Sequence, residues 1–233
     1  MAHSSIPRAP GTRSSSPLNP TGKKHRFSKA WMHDHVNDHW VTEAKRLGYR
    51  SRAAFKLLEI IEKDKLLRAG MRVVDLGAAP GSWSQVLAQK LAGQGRVFAV
   101  DLLDFDPVRG VSAIKADFST DEGLAAVEAA LDGQSVHLVV SDMAPNLSGI
   151  AAVDRARGVH LAELALEFAL AWLAPGGDFA VKMFQGEGFD AFARQVGSHF
   201  TKSYVRKPKA SRDRSREVFV VGKGFEGAKA PVA

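Results

Sequence analysis

Apolar and polar positions change rhythm several times along the chain. Residues 1–27 have no apolar period and are rich in Ser, Pro, Arg and Gly, which predicts a disordered basic tail. From Ser28 onward the pattern becomes regular. Ser51 stands as a helix cap ahead of a stretch in which Ala54, Leu58 and Ile61 share one apolar face, flanked by Phe55 and Leu57. Lys56, Glu59 and Lys63 fall on the opposite side of that helix. Beyond it, short β-type runs alternate with helical ones. Residues 72–76, 96–101, 112–115, 137–141, 178–184, 203–207 and 217–221 predict strands, and 82–91, 121–131, 154–173 and 189–199 predict helices. Pro175-Gly176-Gly177 predicts a sharp end to the long helix. Such alternation makes an α/β fold with a mainly parallel sheet covered on both faces. The last two strands are joined by a loop alone, which predicts a C-terminal antiparallel hairpin. One domain over residues 28–225 is expected, with 226–233 as a flexible end. In open sheets of this kind ligands bind beyond the carboxyl ends of the strands.

Composition narrows the possibilities. A chain of 233 residues that is 45% hydrophobic can bury one sizeable core. No apolar run is long enough to span a bilayer, and the N-terminus lacks the apolar stretch of a secretory signal. The absence of cysteine excludes disulfides, thiolate metal sites and cysteine nucleophiles. The expected location is the cytoplasm. The net charge of +7 is unevenly spread: residues 1–33 carry six Lys/Arg and no acid, residues 45–56 carry five and no acid, and residues 202–216 carry seven against one acid. Basic blocks on an otherwise acidic body suit a polyanion, because each cation that neutralises a phosphate releases a counterion. The blocks at 45–56 and 202–216 are expected to form one continuous surface beside the carboxyl ends of the strands. Trp31, Trp40 and Tyr49, lying among basic residues, can stack on bases or pack in a core. His33, His35 and His39 with Asp34 and Asp38 have a spacing that does not put them on one helix face, so no metal is expected.

The segment Val73-Val74-Asp75-Leu76-Gly77-Ala78-Ala79-Pro80-Gly81-Ser82-Trp83 runs from a strand through a tight turn into a helix. Glycine permits close approach of backbone to a ligand, and a helix start offers free N–H groups. The dinucleotide fingerprint G-x-G-x-x-G is absent, because Ala79 stands where it needs glycine, which argues against a nicotinamide oxidoreductase. Asp101 closes the next strand, where an acid can accept hydrogen bonds from both hydroxyls of an adenosine ribose. Asp117 closes the third strand region and can accept from an adenine amino group. Either acid alone can equally be a strand-end or capping residue; together they point to an adenosine site.

The loop D-L-G-A-A-P-G-S-W, with Ser141–Asn146 (S-D-M-A-P-N), Val181–Gly186 (V-K-M-F-Q-G) and Arg214–Val218 (R-S-R-E-V), resembles the FtsJ/RrmJ family of RNA 2′-O-ribose methyltransferases over roughly residues 28–222. The resemblance implies a Rossmann-like methyltransferase fold and S-adenosylmethionine as methyl donor, with Gly77, Pro80, Gly81, Trp83, Asp101, Asp117 and Asp142 as donor-site residues. It implies a uridine in the A-loop of 23S ribosomal RNA as target, on large-subunit RNA or the assembled large subunit; the enzyme is expected to be a monomer without metal. It also implies a catalytic set of Lys56, Asp142, Lys182 and Glu217. Ser82 departs from the family, which has a second glycine there. Transfer RNA is the alternative substrate; a non-catalytic RNA-binding protein on the same fold would be expected to lack Lys182 or Asp142.

The residues themselves support these roles unequally. Lys182 lies inside the apolar run Phe179–Phe184, and a buried ammonium needs a carboxylate partner or a shifted pKa. Asp142 ends its strand at the same edge, where it could also be a cap. Lys56 reads as a solvated lysine on a polar helix face, and Glu217 opens the last strand with nothing else to single it out. Lys182 as base and a charged Lys182 that orients the hydroxyl both remain open at this level.

Overall fold

The computed structural model describes residues 38–212 and 214–227. The tail 1–27, Trp31, His33, Asp34, His35 and the end at 228–233 lie outside the described residues. In chain order the elements are α1 (His39–Arg46), α2 (Ala53–Asp64), β1 (Met71–Leu76), α3 (Ser82–Leu91), β2 (Gly95–Asp101), β3 (Val111–Lys115), α4 (Asp121–Leu131), β4 (Val136–Ser141), α5 (Ala151–Trp172), β5 (Leu173–Phe184), α6 (Phe189–His199), β6 (Phe200–Arg206) and β7 (Glu217–Phe225). The seven strands form one sheet in the order β3-β2-β1-β4-β5-β7-β6. Neighbours from β3 through β5 are parallel, and β7 runs antiparallel to both β5 and β6. The expected α/β architecture and terminal hairpin are therefore present, with β7 inserted between β5 and β6.

Each face of the sheet has its own core. Val127 and Leu131 of α4, Ala162, Leu166 and Ala169 of α5, and Phe192 and Val196 of α6 pack with Val74, Val139, Phe179, Val181, Val218 and Val220 on one face. Leu57 and Ile60 of α2 and Trp83, Val86 and Leu87 of α3 pack with Val73, Leu138, Ala180, Phe219 and Val221 on the other. The period of two along a strand then dictates that Lys182, like Ala180, faces the α2 side, and that Glu217 joins Phe219 there.

Four local expectations are corrected. Helix α1 is absent from the expected elements, although Asp38 accepts a hydrogen bond from the Trp40 N–H (3.0 Å) and Lys45 and Arg46 occupy the last turn, both standard end signals. In α2 the buried line runs through Ala54, Leu57, Ile60, Ile61 and Asp64, leaving Leu58 only half-buried. That rotation carries Lys56 from the polar face to the edge of the buried arc. The long helix stops at Trp172, before Pro175-Gly176-Gly177, and β5 begins at once, with Leu173 paired to Val136 across a register shift. Pro175 disfavours helical backbone just ahead of it, and the chain takes the extended form. Finally, β6 starts at Phe200, directly off α6, rather than at residue 203.

Candidate active site

The sheet brings the residues singled out in the sequence to one edge. Asp101 ends β2, Asp142 follows β4, and Lys182 lies two residues before the end of β5. Because β7 runs the other way, its first residue lies where the parallel strands finish, and Glu217 is the register partner of Phe184.

The β1–α3 turn depends on two glycines. Gly77 has φ +79°, and a Cβ there would meet the Met143 Cα and backbone N at 2.8 Å. Gly81 has φ +92°, and a Cβ would come within 2.6 Å of the Arg50 guanidinium and 3.1 Å of the Phe105 ring. Both need a left-handed conformation, and both have close neighbours. Pro80 offers its carbonyl to Arg50 Nη1 (2.8 Å). The side chain of Trp83 is buried, with its indole N–H donating to the Ala53 carbonyl (2.9 Å) and its ring 5.6 Å from Phe219. Its backbone at the helix start, not its ring, is what a ligand in the turn can meet. Ser82 Oγ lies 2.7 Å from Ser51 Oγ, so the residue that replaces the family's glycine ties the start of α3 to that of α2. Ser51 does not cap α2 as expected: the N-cap position is Arg52, and Ser51, one residue outside, accepts from the Ala53 N–H (3.2 Å).

Asp101 accepts from the Ala79 N–H through Oδ2 and from the Leu103 N–H through Oδ1, both at 2.8 Å. Each oxygen keeps a lone pair, so the carboxylate both shapes the turn and can still accept ribose hydroxyls. Asp117 is exposed two residues beyond β3; Ser119, through its hydroxyl and then its N–H, holds that carboxyl below its usual range. Asp101→Ala is expected to weaken donor binding by roughly 1–3 kcal/mol in a folded protein, the range for hydrogen bonds to a charged group. Isothermal calorimetry with S-adenosylmethionine checks this, and unchanged affinity would remove Asp101 from the donor site.

Two lysine–carboxylate pairs stand beside the turn. Lys56 Nζ lies 2.7 Å from Glu217 Oε1, and both side chains are mostly buried. Ser211 Oγ also donates to Glu217 Oε1 (2.8 Å), and Lys56 sits 5.8 Å from the centre of the Phe219 ring. Burial pushes the Glu217 carboxyl up, but the charge and hydrogen bond of Lys56, with Ser211 and Lys182, bring it below the usual carboxylate range. Lys182 Nζ donates to the Asp142 carbonyl (2.6 Å) and lies 3.1 Å from Asp142 Oδ1. The second contact is an ion pair too oblique to be a hydrogen bond, and this buried oxygen has no hydrogen-bond donor among the described residues. Such an atom is costly to bury unless a ligand supplies the donor.

Sequence reasoning misses Asp75, although an acid inside Val73-Val74-Asp75-Leu76 invites the same argument as Lys182. It is fully buried, accepts from Ser84 Oγ at 2.6 Å and leaves Oδ1 unpartnered. Burial raises its pKa to about 7; Asp142 and Asp101 add to the rise, and Ser84 opposes it. The folded state thus holds the Asp75 proton more tightly than the unfolded chain, where a carboxyl titrates near pH ~4. Its stabilising contribution is complete below that pH and is lost as pH rises to about 7. Asp75→Asn should therefore flatten the fall in melting temperature over this interval, and an unchanged slope in thermal melts would contradict the burial argument.

The basic blocks meet beside this edge, but several of their cations are already engaged. Arg50 donates to the carbonyls of Pro80, Asp106 and Pro107, Arg46 pairs with Glu43, and Arg52 with Asp38. Arg206 grips the buried Asp64, and Lys207 Nζ donates to the carbonyls of Ser215 and Glu217. Beside them is a cleft of about 430 Å³ lined by Lys45 and Tyr49 together with the ion-paired Arg52, Lys56 and Arg212, among others. Trp40 and Tyr49 pack on Phe55, with ring centres 5.0 and 5.6 Å away. Among the described residues no three His, Cys, Asp or Glu are grouped to hold a metal ion, and no helix is long and apolar enough to cross a membrane.

Comparison with known proteins agrees with this arrangement. Residues 49–225 match the model of the FtsJ-like methyltransferase family. A protein of Methylobacillus flagellatus named ribosomal RNA large subunit methyltransferase E is 56% identical over 86% of this chain and 97% of its own length. A protein of the same name from Azoarcus sp. is 57% identical over 86% of this chain and 98% of its own. A crystal structure of a ribosomal RNA methyltransferase from Plasmodium falciparum, 26% identical, covers 77% of this chain and 100% of its own with a TM-score of 0.69. With three quarters of its length inside the family pattern and all four motifs within that span, the chain belongs to the FtsJ-like methyltransferase family.

Proposed function

We propose that the protein transfers a methyl group from S-adenosylmethionine to the ribose 2′-hydroxyl of a uridine in the A-loop of 23S ribosomal RNA. The observation that carries this reading is the pairing of Lys182 with Asp142 and of Lys56 with Glu217 at the strand edge that also carries the glycine turn. The donor fits the residues present. Asp101 would hold its ribose, Asp117 its adenine amino group, and the Gly77–Gly81 turn its methionyl portion, while Asp142 Oδ1 still needs a hydrogen-bond donor. When bound, it supplies a sulfonium methyl with an excellent leaving group, so positioning can account for most of the acceleration.

Each residue of the set then has a task. Lys182 Nζ spends one position on the Asp142 carbonyl and another near its carboxylate. The remaining position meets the acceptor 2′-oxygen and, in the neutral amine, takes its proton as that oxygen attacks. Asp142 fixes the direction of Nζ. Lys56, held by Glu217, places a positive charge beside the acceptor strand and guides the ribose into the site. The cleft lined by Lys45 and Arg212 takes the flanking phosphates. No step needs a second copy of the chain or a metal, and the substrate is large-subunit RNA, free or in the assembled large subunit.

The test is methyl transfer from tritiated donor to unmethylated large ribosomal subunits, naked 23S RNA and transfer RNA. The product is mapped as a 2′-O-methylated uridine by its resistance to alkaline cleavage. Label on large subunits at one uridine is the expected result. Label on transfer RNA alone would overturn the substrate, and base methylation would overturn the reaction.

A further inference from the structure

The geometry points to Phe184 as the platform on which the nucleobase of the acceptor uridine stacks, an inference that rests on the acceptor being a ribonucleotide. Among the described residues Phe184 is the phenylalanine that is exposed, at 39%. An isolated exposed apolar side chain needs no explanation, but the position of this one does. It closes β5, two residues beyond Lys182, so the period of two puts both side chains on the α2 face of the sheet. Its Cα lies about 6.6 Å further out than that of Lys182, toward the edge where substrate must enter. Its register partner is Glu217, the carboxylate that holds Lys56. Directly opposed residues on one face stand about 5 Å apart at Cβ. The ring is thus bracketed by the two charged pairs, yet it is not drawn into the core as the neighbouring aromatics are. Trp83 and Phe219, on the same face, are 2% and 0% exposed and offer no free ring.

This placement matches what the reaction requires of its acceptor. An attacking 2′-oxygen must be held in line with the sulfonium methyl, and Lys182 and Asp142 fix only the oxygen. The ribose can still rotate about that point. A nucleobase is joined to the carbon next to C2′, so a flat contact one pleat outward from Lys182 restrains the rotation. Lys56, Glu217, Lys182 and Asp142 end in amines and carboxyls, carry no ring, and cannot supply such a contact. A phenyl face can, for any base, because stacking requires no hydrogen-bond match. Phe184 therefore acts on the rate and on RNA affinity through the acceptor and has no contact with the donor.

The experiment compares wild type with Phe184→Ala, Phe184→Leu, Phe184→Tyr and Phe184→Trp on unmethylated large ribosomal subunits. Single-turnover methylation is measured against subunit concentration, together with calorimetric S-adenosylmethionine affinity and thermal melts. The Ala and Leu variants should lose roughly 5- to 150-fold in kcat/KM for RNA, the usual range for removal of a base-stacking ring. Tyr and Trp should retain activity within about threefold, since each keeps a ring at the site. Donor affinity should be unchanged in all four. Full activity in the Leu variant would show that apolar bulk suffices and would overturn stacking. So would full activity in the Ala variant, or equal losses in Tyr, Trp and Ala with unchanged melts. If wild type itself labels no ribose on the subunit, the reading of the acceptor fails instead, and the two failures are told apart.

Discussion

Lys182→Ala is expected to slow single-turnover methyl transfer by ~10²–10⁴-fold, the usual worth of a positioned base. Affinities for donor and RNA should change far less. The residue is 9% exposed on a central strand, and its amine lies against Asp142 rather than toward Asp101, where the adenosine contacts are proposed. Truncation removes both proposed roles, proton acceptor and aim of the 2′-oxygen, and loss of aim alone can cost as much. It also strands the buried Asp142 Oδ1 beside an empty space, so a thermal melt must accompany the assay. Lys182→Arg separates the two roles. A guanidinium remains protonated at any useful pH, so it can orient but cannot accept a proton. A folded Arg variant as slow as Ala supports the base. An active Arg variant leaves only an orienting charge, and near-wild-type turnover in the Ala variant removes both.

The sequence exposes some parts of this site and hides others for identifiable reasons. The glycine turn is legible because its strand, turn and helix are contiguous and their periods differ on either side. Asp101 and Asp142 are legible because strand ends are easy to find in an alternating chain. Lys182 stands out because a charge inside an apolar strand demands an explanation, and its partner is indeed Asp142. Lys56 does not stand out. One turn of a helix has no marker for which arc is buried when Phe55, Leu57, Leu58, Ile60 and Ile61 together spread over more than half of the circumference. Its burial is decided by Glu217, which lies far away in sequence. Glu217 in turn depends on β7 inserting antiparallel between β5 and β6, a choice no local pattern encodes. Phe184 reads only as part of an apolar strand, since exposure at a strand's last residue is a tertiary property. Short α1 is hidden because its eight residues are mostly polar, although Asp38 and the Lys45-Arg46 pair mark its ends.

Arg206→Glu is expected to destabilise the fold by ~3–5 kcal/mol, the usual cost of breaking a buried ion pair. For a domain of this size that lowers the melting temperature by about 6–20 °C. From its sequence this arginine belongs to the basic block at residues 202–216, and reversing it with Lys207 and Lys209 would look like a test of RNA docking. The structure gives it a different task. Its guanidinium meets both oxygens of Asp64 (Nε to Oδ2 2.9 Å, Nη2 to Oδ1 2.5 Å), while the Asp64 side chain is 2% exposed. Its charge also lies 4.3 Å from the centre of the Tyr204 ring. The ion pair joins the end of α2 to β6, two elements 142 residues apart in sequence. Glutamate there would set two carboxylates against each other with one of them buried. Lys207 is similarly engaged, since its ammonium holds the Glu217 carbonyl at 2.7 Å and so fixes the start of β7. Loss of RNA binding in a triple reversal would therefore report a damaged fold. Reversing the exposed Lys45, Lys209 and Arg216 instead should leave the melt nearly unchanged, weaken RNA binding and flatten its salt dependence. The slope should change by about 0.7–0.9 for each phosphate that is no longer neutralised. An Arg206→Glu variant that melts like wild type would disprove the structural role. An unchanged salt slope in the Lys45, Lys209 and Arg216 variant would place the RNA on another face.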